Sequence, residues 1–595
     1  MHKETLKKTY QERKEQFEKQ LSRQKRVLLY ISILRLLVIF LAVYFLVAGV
    51  KNSLSLLYII SILMVVLFFA LVSYHKNQND RKKLLAKLAH LNERELDCLD
   101  FRFDANNAGK EFIDSRHPWS FDLDLFGEGS IYQFINRTAT HAGPKKLADL
   151  ITTPVTDPDE VSSRQAMTRE LADRLDLRQV FTANAMLMSS EAEDYQDVIG
   201  WSEEEVFIEK YRWTKYIPWL MVLLTAGAIT AAIIDPFYFR LFIPLLLINF
   251  SLLSPFLNRT NRFQAKVSRK HRFLRIYAVL LEILSRESFT HPELKDIAQR
   301  SNQASASLKK LTTLLDLFDQ RLNLLVGFVA NALFLFDFIM LHRLAAWNRA
   351  NKGMLEQWLS ITGHVDARIS LAGFASNHPD YCFPKMEKDH LGIKAVSLGH
   401  PMILPSKRID NDMVTRDEKV LLITGANMAG KSTFLRSVGV NMALTYAGSP
   451  VCASEFITGP YLLHSSMRTT DSLKDDESYF YAEIKRLKTI VEEMESGTKM
   501  LILLDEVLKG TNTTDKQKGS KGLILKSIEH DVLCFIATHD LALGALQDEH
   551  KGKVVNYCFE GYIDGLELTF DYKIREGLAK NMNASFLMKQ MGIMD

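Results

Sequence analysis

The sequence has few cysteines and almost no net charge, and each shortage excludes a class of protein. Its five cysteines are odd in number, far apart and never arranged as a Cys-x-x-Cys pair, which argues against a disulfide framework and a zinc site. They are Cys98, Cys382, Cys452, Cys534 and Cys558. The net charge of +4 over 595 residues makes no general demand for a polyanionic partner. We therefore expect a reducing compartment, and any nucleic-acid surface would have to be local.

Long apolar runs are present, although the overall composition conceals them. The chain of 595 residues is long enough for several domains. Residues 27–50, 54–74, 216–234 and 237–257 form four runs, each able to cross about 30 Å of hydrocarbon at about 1.5 Å per residue. The runs lie in two closely spaced pairs. They predict two transmembrane helical hairpins, because buried helices of a soluble protein usually keep a polar stripe.

Basic residues at the base of each hairpin predict its orientation. They are Lys3, Lys7, Lys8, Arg13, Lys14, Lys19, Arg23, Lys25 and Arg26 before the first run, Lys76, Arg81, Lys82 and Lys83 after the second, and Arg259, Arg262, Lys266, Arg269, Lys270 and Arg272 after the fourth. Positive flanks face the cytoplasm. We therefore predict an integral, multi-pass membrane protein with four spans and with cytoplasmic N- and C-terminal domains. Arg35, inside the first span, either snorkels to the surface or pairs with another helix, and snorkelling is the favoured interpretation.

A glycine-rich loop between a strand and a helix predicts a nucleotide site. The apolar run KVLLIT (419–424) leads into GANMAGKST (425–433) and then into a helical pattern. Glycines let backbone N–H groups approach phosphates, Lys431 reaches the terminal phosphates, and Ser432 offers its hydroxyl to Mg²⁺. The predicted nucleotide-binding residues are Gly425, Asn427, Met428, Ala429, Gly430, Lys431, Ser432 and Thr433. The expected cofactors are ATP and Mg²⁺.

Two later strands each end in a side chain suited to hydrolysis. KMLILL (499–504) ends in Asp505 and Glu506, and the strand at 532–537 is followed by Thr538 and His539. Asp505 would hold Mg²⁺, and Glu506 would polarise the attacking water. His539 would sense the γ-phosphate or orient the water. Lys431, Glu506 and His539 are therefore the predicted catalytic residues on this chain.

One further apolar run, 322–341, carries a polar or small-residue edge. Asn323, Gly327 and Asn331 recur at every fourth position, and Asp337 lies beyond them. This pattern predicts a buried helix of a soluble domain. A fifth crossing would also place the nucleotide site outside the cell, away from its ATP supply.

The motifs resemble those of the MutS mismatch-repair family. The loop TGANMAGKSTFLR carries that family's Asn-Met pair, and DEVLKGTNTTD and ATHD resemble its acidic and histidine motifs. DESYFYAE (476–483) resembles its signature segment, so the resemblance implies that Ser478 acts in trans on the nucleotide of the opposite subunit. FDYKIREGLAKNMNASFLMKQMG resembles its closing strand, glycine and final helix. The resemblance thus implies an ATPase that forms a homodimer through its ATPase domains.

A weaker likeness extends upstream. The segment 131–167 resembles the start of the family's helical core through Asn136, Arg137, Thr140, Gly143 and Arg164-Gln165. On this basis 298–358 would form long lever helices, and the resemblance would cover roughly residues 120–200 and 260–595. The mismatch-reading domain, with its intercalating Phe-x-Glu, has no evident counterpart, and we interpret Phe126-Gly127-Glu128 as a linker. The resemblance also implies that the second membrane hairpin would stand where the family's core is interrupted by a DNA-gripping clamp.

The predicted fold class is α plus α/β, multidomain. The predicted domains are an N-terminal cytoplasmic segment with a transmembrane hairpin (1–76), a MutS-like helical core and lever with an inserted transmembrane hairpin (77–390), and a MutS-type, ABC-like P-loop α/β ATPase domain (391–595). The predicted partners are a second copy of the chain and the lipid bilayer.

The leading functional hypothesis is a membrane-anchored ATPase whose composite dimer sites drive a conformational switch. An alternative is a membrane-tethered DNA-binding sensor of mismatches or branches, which the family resemblance alone supports. For the basic cluster 259–272, a lipid-facing flank is the favoured interpretation. An ABC-type transporter is a weaker alternative, because DESYFYAE is not the LSGGQ signature of such proteins.

Overall fold

The computed structural model describes residues 2–52, 54–188, 193–468, 479–508, 510–564 and 567–580. Within these ranges the helices up to residue 377 precede every strand, and strands and helices mix from residue 385 onward. The predicted α plus α/β multidomain architecture is therefore confirmed.

The first hairpin consists of two very long antiparallel helices, α1 (His2–Asn52) and α2 (Ser55–Leu99). Both are apolar near the tip and charged near the base, and the apolar parts are mostly exposed. Ser61 of α2 donates a buried 2.9 Å hydrogen bond to the carbonyl of Ala42 on α1. The Arg35 guanidinium lies 5.6 Å from the Phe68 ring, so this charge contacts the neighbouring helix instead of extending alone to the surface.

The base of this hairpin is fastened to the helical core. The Tyr10 hydroxyl donates a buried 2.8 Å hydrogen bond to Asn377 Oδ1. Arg137 Nε donates a 2.6 Å hydrogen bond to Glu95 Oε1, and both side chains are about nine-tenths buried. A buried ion pair of this kind requires a defined geometry, since either charge alone would be left without solvation.

The helical core surrounds one buried helix. Its helices are α3 (Ile131–Ile135), α4 (Gly143–Thr152), α5 (Pro158–Ala172), α6 (Leu175–Ala185) and α7 (Glu193–Glu203), which precede the second hairpin, and α14 (Met354–Asn377). Asp366 Oδ2, on α14, accepts hydrogen bonds from the N–H of Ala139 at 2.8 Å, the N–H of Thr140 at 2.7 Å and the hydroxyl of Thr140 at 2.8 Å. A Cβ at Gly143 would lie 2.3 Å from the same oxygen, so a residue with a side chain does not fit there.

The second hairpin and a long helix pair interrupt this core. The helices are α8 (Ile217–Ile234), α9 (Phe242–Leu253), α10 (Leu257–Ser285) and α11 (Pro292–Asp319). In the described residues, four helical stretches are long and apolar enough to cross a membrane: His2–Asn52, Ser55–Leu99, Ile217–Ile234 and Pro236–Ser268. These four coincide with the four predicted runs, two of which (54–74 and 216–234) were predicted to start one residue before the helix does.

The prediction of one buried helix over 322–341 is wrong. The structure has two helices, α12 (Leu324–Phe334) and α13 (Phe336–Ala350), bent by 85° at Leu335, whose φ is 49°. The stretch 298–358, predicted to form long lever helices, is divided among α11, α12, α13 and α14, with breaks after Asp319, at Leu335 and after Ala350. Helix α13 is largely buried, but Phe328 on α12 is 57% exposed. Two residues of the predicted polar edge, Gly327 and Asn331, are buried against the protein, whereas Asn323 is exposed.

The carboxyl-terminal part contains two sheets. Its strands are β1 (Lys385–Met386), β2 (Ile393–Leu398), β3 (Asn411–Val414), β4 (Val420–Gly425), β5 (Glu455–Thr458), β6 (Leu462–Ser466), β7 (Met500–Asp505), β8 (Val532–Ala537), β9 (Val554–Asp564) and β10 (Glu567–Glu576). Its helices are α15 (Lys431–Ala447), α16 (Tyr479–Glu495), α17 (Thr513–Glu529) and α18 (Leu546–Glu549). The larger sheet has the order β10-β9-β4-β8-β7-β6, with β10 antiparallel to β9 and the other neighbours parallel. Helices cover both faces, which is why β4 and β8 are buried along their whole length.

The Phe-x-Glu tripeptide belongs to the packed segment before α3. The Phe126 ring lies 5.7 Å from the Phe112 ring and 5.3 Å from the Tyr132 ring, and Lys110 forms an ion pair with Glu128. The Phe126 ring therefore packs against neighbouring core rings, and the interpretation of the tripeptide as a linker stays a prediction.

Candidate active site

The predicted site residues converge at one edge of the larger sheet. Asp505 on β7 pairs with Ala537 on β8, and Ala537 pairs with Ile423 on β4, so the three strands end in one row. Neighbouring strands are about 4.8 Å apart, so the three chain ends lie within about 10 Å. The glycine-rich loop, the acidic pair and the histidine segment all leave the sheet at this edge.

The glycine-rich loop adopts a backbone that its glycines permit. Gly425 has φ 146° and Gly430 has φ 108°, in the region that side chains disfavour. A Cβ at Gly425 would also lie 2.6 Å from the carbonyl oxygen of Phe559 on β9. Met428 has φ 68°, and its side chain is 79% exposed at the mouth of the loop.

Helix α15 begins directly after this loop. In the described part of the chain, its N-terminus has no side chain that caps it. The first N–H groups of a helix have no intrahelical acceptor, and they carry the positive end of the helix dipole. This combination suits an anion at Lys431, Ser432 and Thr433.

Lys431 lies across the loop with its charge directed at backbone carbonyls. Its Nζ donates hydrogen bonds of 2.9 Å to the carbonyl oxygens of Gly425 and Ala426, and the residue is only 5% exposed. Burial lowers the pKa of Lys431, and the nearby carboxylates of Asp505 and Glu506 oppose that shift. The loop lysine and the acidic pair therefore share one electrostatic environment.

Glu506, the second residue of the acidic pair, is in direct contact with the histidine. His539 Nε2 lies 2.6 Å from Glu506 Oε1, and each side chain is about one-quarter exposed, at 26% and 25%. Glu506 has φ 53°, and its N–H donates a 2.9 Å hydrogen bond to the carbonyl of Ala537. This strained conformation directs the carboxylate out of the strand towards the edge where the loop lies.

The structure adds Glu483, to which sequence reasoning assigned no role. Glu483 Oε1, on α16, accepts a 2.6 Å hydrogen bond from the N–H of Leu508, three residues after Asp505. Leu508 has φ 61°, and Glu483 is only 8% exposed. Glu483 is the last residue of the segment that resembles the family signature. Its place in that segment is the sequence feature that could have identified it.

Tyr572 is a second residue that the structure adds to the candidate site. A Cβ at Gly430 would lie 3.2 Å from the Tyr572 ring, so this ring covers the loop from β10. The carbonyl of Tyr572 accepts a 3.0 Å hydrogen bond from Asn411 Nδ2, which holds the strand over the loop. The strand belongs to the closing segment that the sequence singled out.

Ser478, the predicted trans residue, lies outside the described residues, as does the predicted final helix. The turn after Glu506 is described in part. Its Asn512 accepts a 2.9 Å hydrogen bond from the N–H of Asp515 and so caps α17.

The side chains at this edge fit Mg²⁺ that is bound together with a phosphate. Ser432 lies in the first turn of α15, and Asp505 ends β7. Among the residues that the structure describes, no group of three His, Cys, Asp or Glu side chains could hold a metal on its own. Mg²⁺ bound with a nucleotide typically uses one or two protein oxygens, phosphates and water, so two ligands suffice.

A largely parallel sheet with a glycine-rich loop after β4 and acidic residues after β7 defines a doubly wound α/β domain. The family model for MutS domain V matches residues 421–590. This match to the carboxyl-terminal domain, together with the similarity to MutS and MSH3 proteins, confirms the resemblance to the MutS family identified in the motifs.

Individual relatives each match about two-fifths of the chain. The DNA mismatch repair protein MSH3 of Meyerozyma guilliermondii is 28% identical over 40% of this chain and 26% of its own length. The DNA mismatch repair protein MutS of Thermotoga maritima is 31% identical over 39% of this chain and 29% of its own length. MutS of Salinibacter ruber is 32% identical over 41% of this chain and 27% of its own length. The chain thus spans under a third of the length of each of these relatives.

Proposed function

We propose that this protein is a membrane-anchored ATPase of the MutS family, in which ATP binding and hydrolysis move helices that are joined to a lipid bilayer. The observation that carries the proposal is the meeting of Lys431, Glu506 and His539 at one edge of the sheet, beside the uncapped N-terminus of α15. The family assignment of this domain gives independent support.

Each residue at the edge has a role in this proposal. The loop amides from Gly425 to Thr433 hold the phosphates, and Lys431 exchanges its two carbonyl contacts for phosphate oxygens. Ser432 and Asp505 would hold Mg²⁺, whose charge would offset that of the phosphates. Glu506 takes the proton of the attacking water, and His539, 2.6 Å away, orients that carboxylate. Glu483 positions the segment after Glu506 through Leu508.

We propose a homodimer that forms through the ATPase domains. Ser478 of each subunit would contact the γ-phosphate that is bound by the other, as the family resemblance implies. Each site would then be complete only when ATP is bound and the two domains are closed. Hydrolysis would reopen them.

A continuous set of contacts leads from the loop helix to the first hairpin. Arg164 Nη1, on α5, donates a 2.9 Å hydrogen bond to the carbonyl of Tyr446 near the end of α15. Helix α5 packs on α14, and α14 carries Asn377, which binds Tyr10 on α1 at 2.8 Å. A shift of α15 on nucleotide binding would therefore act on the base of the hairpin.

The test uses the full chain purified and reconstituted into lipid vesicles. Lys431→Ala should weaken nucleotide binding by about tenfold or more, since a hydrogen bond to a charged group is worth about 1.5–3 kcal/mol. Glu506→Gln should lower hydrolysis by about 10²–10⁴-fold while nucleotide and the dimer are retained. The control is Lys419→Ala at the opposite end of β4, where Lys419 pairs with Asp531 at 2.9 Å.

Unchanged turnover in Lys431→Ala or Glu506→Gln would reject the site. Failure of the wild-type chain to associate with vesicles would reject the membrane anchor while leaving the site intact. Ser478→Ala tests the trans role, because it should impair hydrolysis without weakening nucleotide binding to the monomer.

The alternative is a membrane-tethered DNA sensor, which the names of the relatives favour. The basic cluster 259–272 gives it little support, because Lys266 forms an ion pair with Glu204 at 2.7 Å and Arg259 binds the Tyr211 hydroxyl at 2.9 Å. Salt-dependent binding of the protein to duplex DNA would favour this alternative, and no binding at low salt would reject it.

A further inference from the structure

Helix α12 has its polarity inverted relative to a helix of a soluble domain. Gly327 and Asn331 face the protein and are buried, and Asn331 is 9% exposed. The exposed side chains are apolar: Val326 at 42%, Phe328 at 57%, Val329 at 43% and Phe334 at 41%. In water such a face would be covered. The outward face of α12 therefore has the chemistry of a lipid-facing surface.

This face is continuous with the second hairpin. Asn249 Nδ2, on α9, donates a 2.6 Å hydrogen bond to the carbonyl of Ala332, and Thr225, on α8, donates one of 3.2 Å to the carbonyl of Leu333. The Phe250 and Phe328 rings stack with their centroids 4.9 Å apart. Both polar side chains are buried between apolar helices, where they bind carbonyls at the end of α12.

The chain turns back at both ends of α12. At its start, the N–H of Gly327 donates a 2.7 Å hydrogen bond to the carbonyl of Asn323, and a Cβ at Gly327 would lie 2.2 Å from the carbonyl oxygen of Arg321. At its end, the chain bends by 85° at Leu335. Arg321 and Asp337 then close the loop with two hydrogen bonds of 2.9 and 2.8 Å.

Helix α13 leads away from the hairpin towards the core. Phe338 packs edge-on against Trp213, with ring centroids 5.9 Å apart, and His342 lies 2.8 Å from the Thr214 hydroxyl. Both contacts are just before α8, at the base of the hairpin. An α-helix of 11 residues is only about 16 Å long, about half of what is needed to cross the hydrocarbon.

We propose that α12 is a re-entrant helix that enters the cytoplasmic leaflet beside α8 and α9 and returns to the same side, with its apolar face against lipid acyl chains. The proposal rests on the proposed membrane anchor. Lipid is the occupant because the exposed face of α12 continues that of α8, where Leu223 is 69% exposed, and because Arg259 and Arg262 follow at the base of the hairpin. The ATPase domain then remains cytoplasmic.

The test places a photo-crosslinking amino acid at single positions in the full chain, reconstituted in vesicles of phosphatidylcholine and phosphatidylglycerol. The positions are 328 on α12, 223 on α8 as the membrane reference, and 391 as the aqueous reference, where Leu391 is 46% exposed in the carboxyl-terminal part. Lipid adducts at 223 and 328, well above those at 391, would support the proposal.

Adducts at 223 without adducts at 328 would overturn the re-entrant helix and leave the membrane anchor standing. Adducts at neither position would overturn both. Adducts of 328 to a second copy of the chain, without lipid adducts, would overturn the proposal by showing that protein covers the face.

A matched pair of alanine substitutions tests the turn. Gly327→Ala would place its Cβ against the Arg321 carbonyl, whereas Gly227→Ala on α8 meets no atom within 4 Å. Gly327→Ala should lower the lipid adducts at 328 towards the level at 391, and Gly227→Ala should leave them unchanged. Undiminished adducts in Gly327→Ala would overturn the tight turn that directs α12 into the leaflet.

Discussion

Strand β7 and helix α8 are both apolar, yet they place their side chains in opposite environments. Leu501, Ile502 and Leu503 on β7 are 0% exposed, whereas Leu223 on α8 is 69% exposed and Ile233 is 79% exposed. The two segments do not differ in side-chain chemistry. They differ in length, since six residues form a strand of the core and eighteen form a helix long enough to approach the thickness of a bilayer.

Polar groups show the opposite arrangement. In the carboxyl-terminal part, Glu506 and His539 lie at the open edge of the sheet, each about one-quarter exposed. In the hairpins, the polar side chains of Ser61 and Asn249 are buried between helices and bind backbone carbonyls. The carboxyl-terminal part thus buries its apolar groups away from water. The hairpins instead turn their apolar groups outward and their polar groups inward.

The largest expected effect comes from truncating one leucine in each region. Leu503→Ala should destabilise the protein by about 2–5 kcal/mol, because it opens a cavity that the packed core fills only in part. Leu223→Ala removes the same atoms from an exposed position, where lipid or detergent would fill the space, so we expect almost no change. Thermal unfolding of both variants in the same detergent measures the difference. Equal losses of stability in the two variants would mean that α8 is a core helix, and the contrast between the two regions would no longer hold.

A smaller effect is expected at Asp366. Its carboxylate is buried in the helical core, unlike the side chains of Glu506 and His539, which lie at the open edge of the sheet. Burial raises the pKa of Asp366 to about 6, from an ordinary value of 3.8, despite its three hydrogen-bond donors. The native state therefore holds this proton more tightly than the unfolded state. The resulting stability is present below about pH 3.8 and is lost as the pH rises through about 6.

Asp366→Asn keeps an acceptor oxygen and removes the titration. Between pH 4 and pH 8 the wild type should lose about 2 kcal/mol of stability that the variant keeps. Denaturant unfolding at a series of pH values checks this. The control is Asp380→Asn, which removes a carboxylate from an exposed position after α14. Parallel pH profiles for wild type and Asp366→Asn would contradict the prediction.

The smallest effect is expected within the first hairpin. Ser61→Ala removes the buried 2.9 Å hydrogen bond to the Ala42 carbonyl. Such a bond between membrane helices is worth about 0.6 kcal/mol on average, because the unfolded chain in the membrane also finds partners. Unfolding in mixed micelles would measure it. A loss as large as that of Leu503→Ala would show that the hairpin depends on polar contacts and not on its apolar surface.

The local pattern of the sequence predicted much of the carboxyl-terminal fold. The predicted strands at 419–424 and 499–504 are observed one residue later, as Val420–Gly425 and Met500–Asp505, and the strand at 532–537 is observed as predicted. Parallel strands bring their carboxyl ends to one edge, so the strand-end motifs had to meet once the sheet formed. The catalytic roles assigned to them stay predictions.

The hydrophobic pattern of the sequence did not predict which face of a helix packs against the protein. For 322–341 it identified which residues share a face, since Gly327 and Asn331 lie together, but not which face meets the protein. A helix of either orientation has the same periodicity. The bend at Leu335 and the ion pair between Arg321 and Asp337 also depend on the neighbouring helices.

The sequence by itself determined the glycine-rich loop, the acidic strand end and the four apolar runs, because each is a property of residues that are adjacent along the chain. Only the tertiary structure decided that Glu483 holds Leu508, that Tyr10 binds Asn377 and that α12 turns its apolar face outward. These contacts join residues far apart in the chain, and their free energy exists only after the packing of whole helices and strands has brought the partners together.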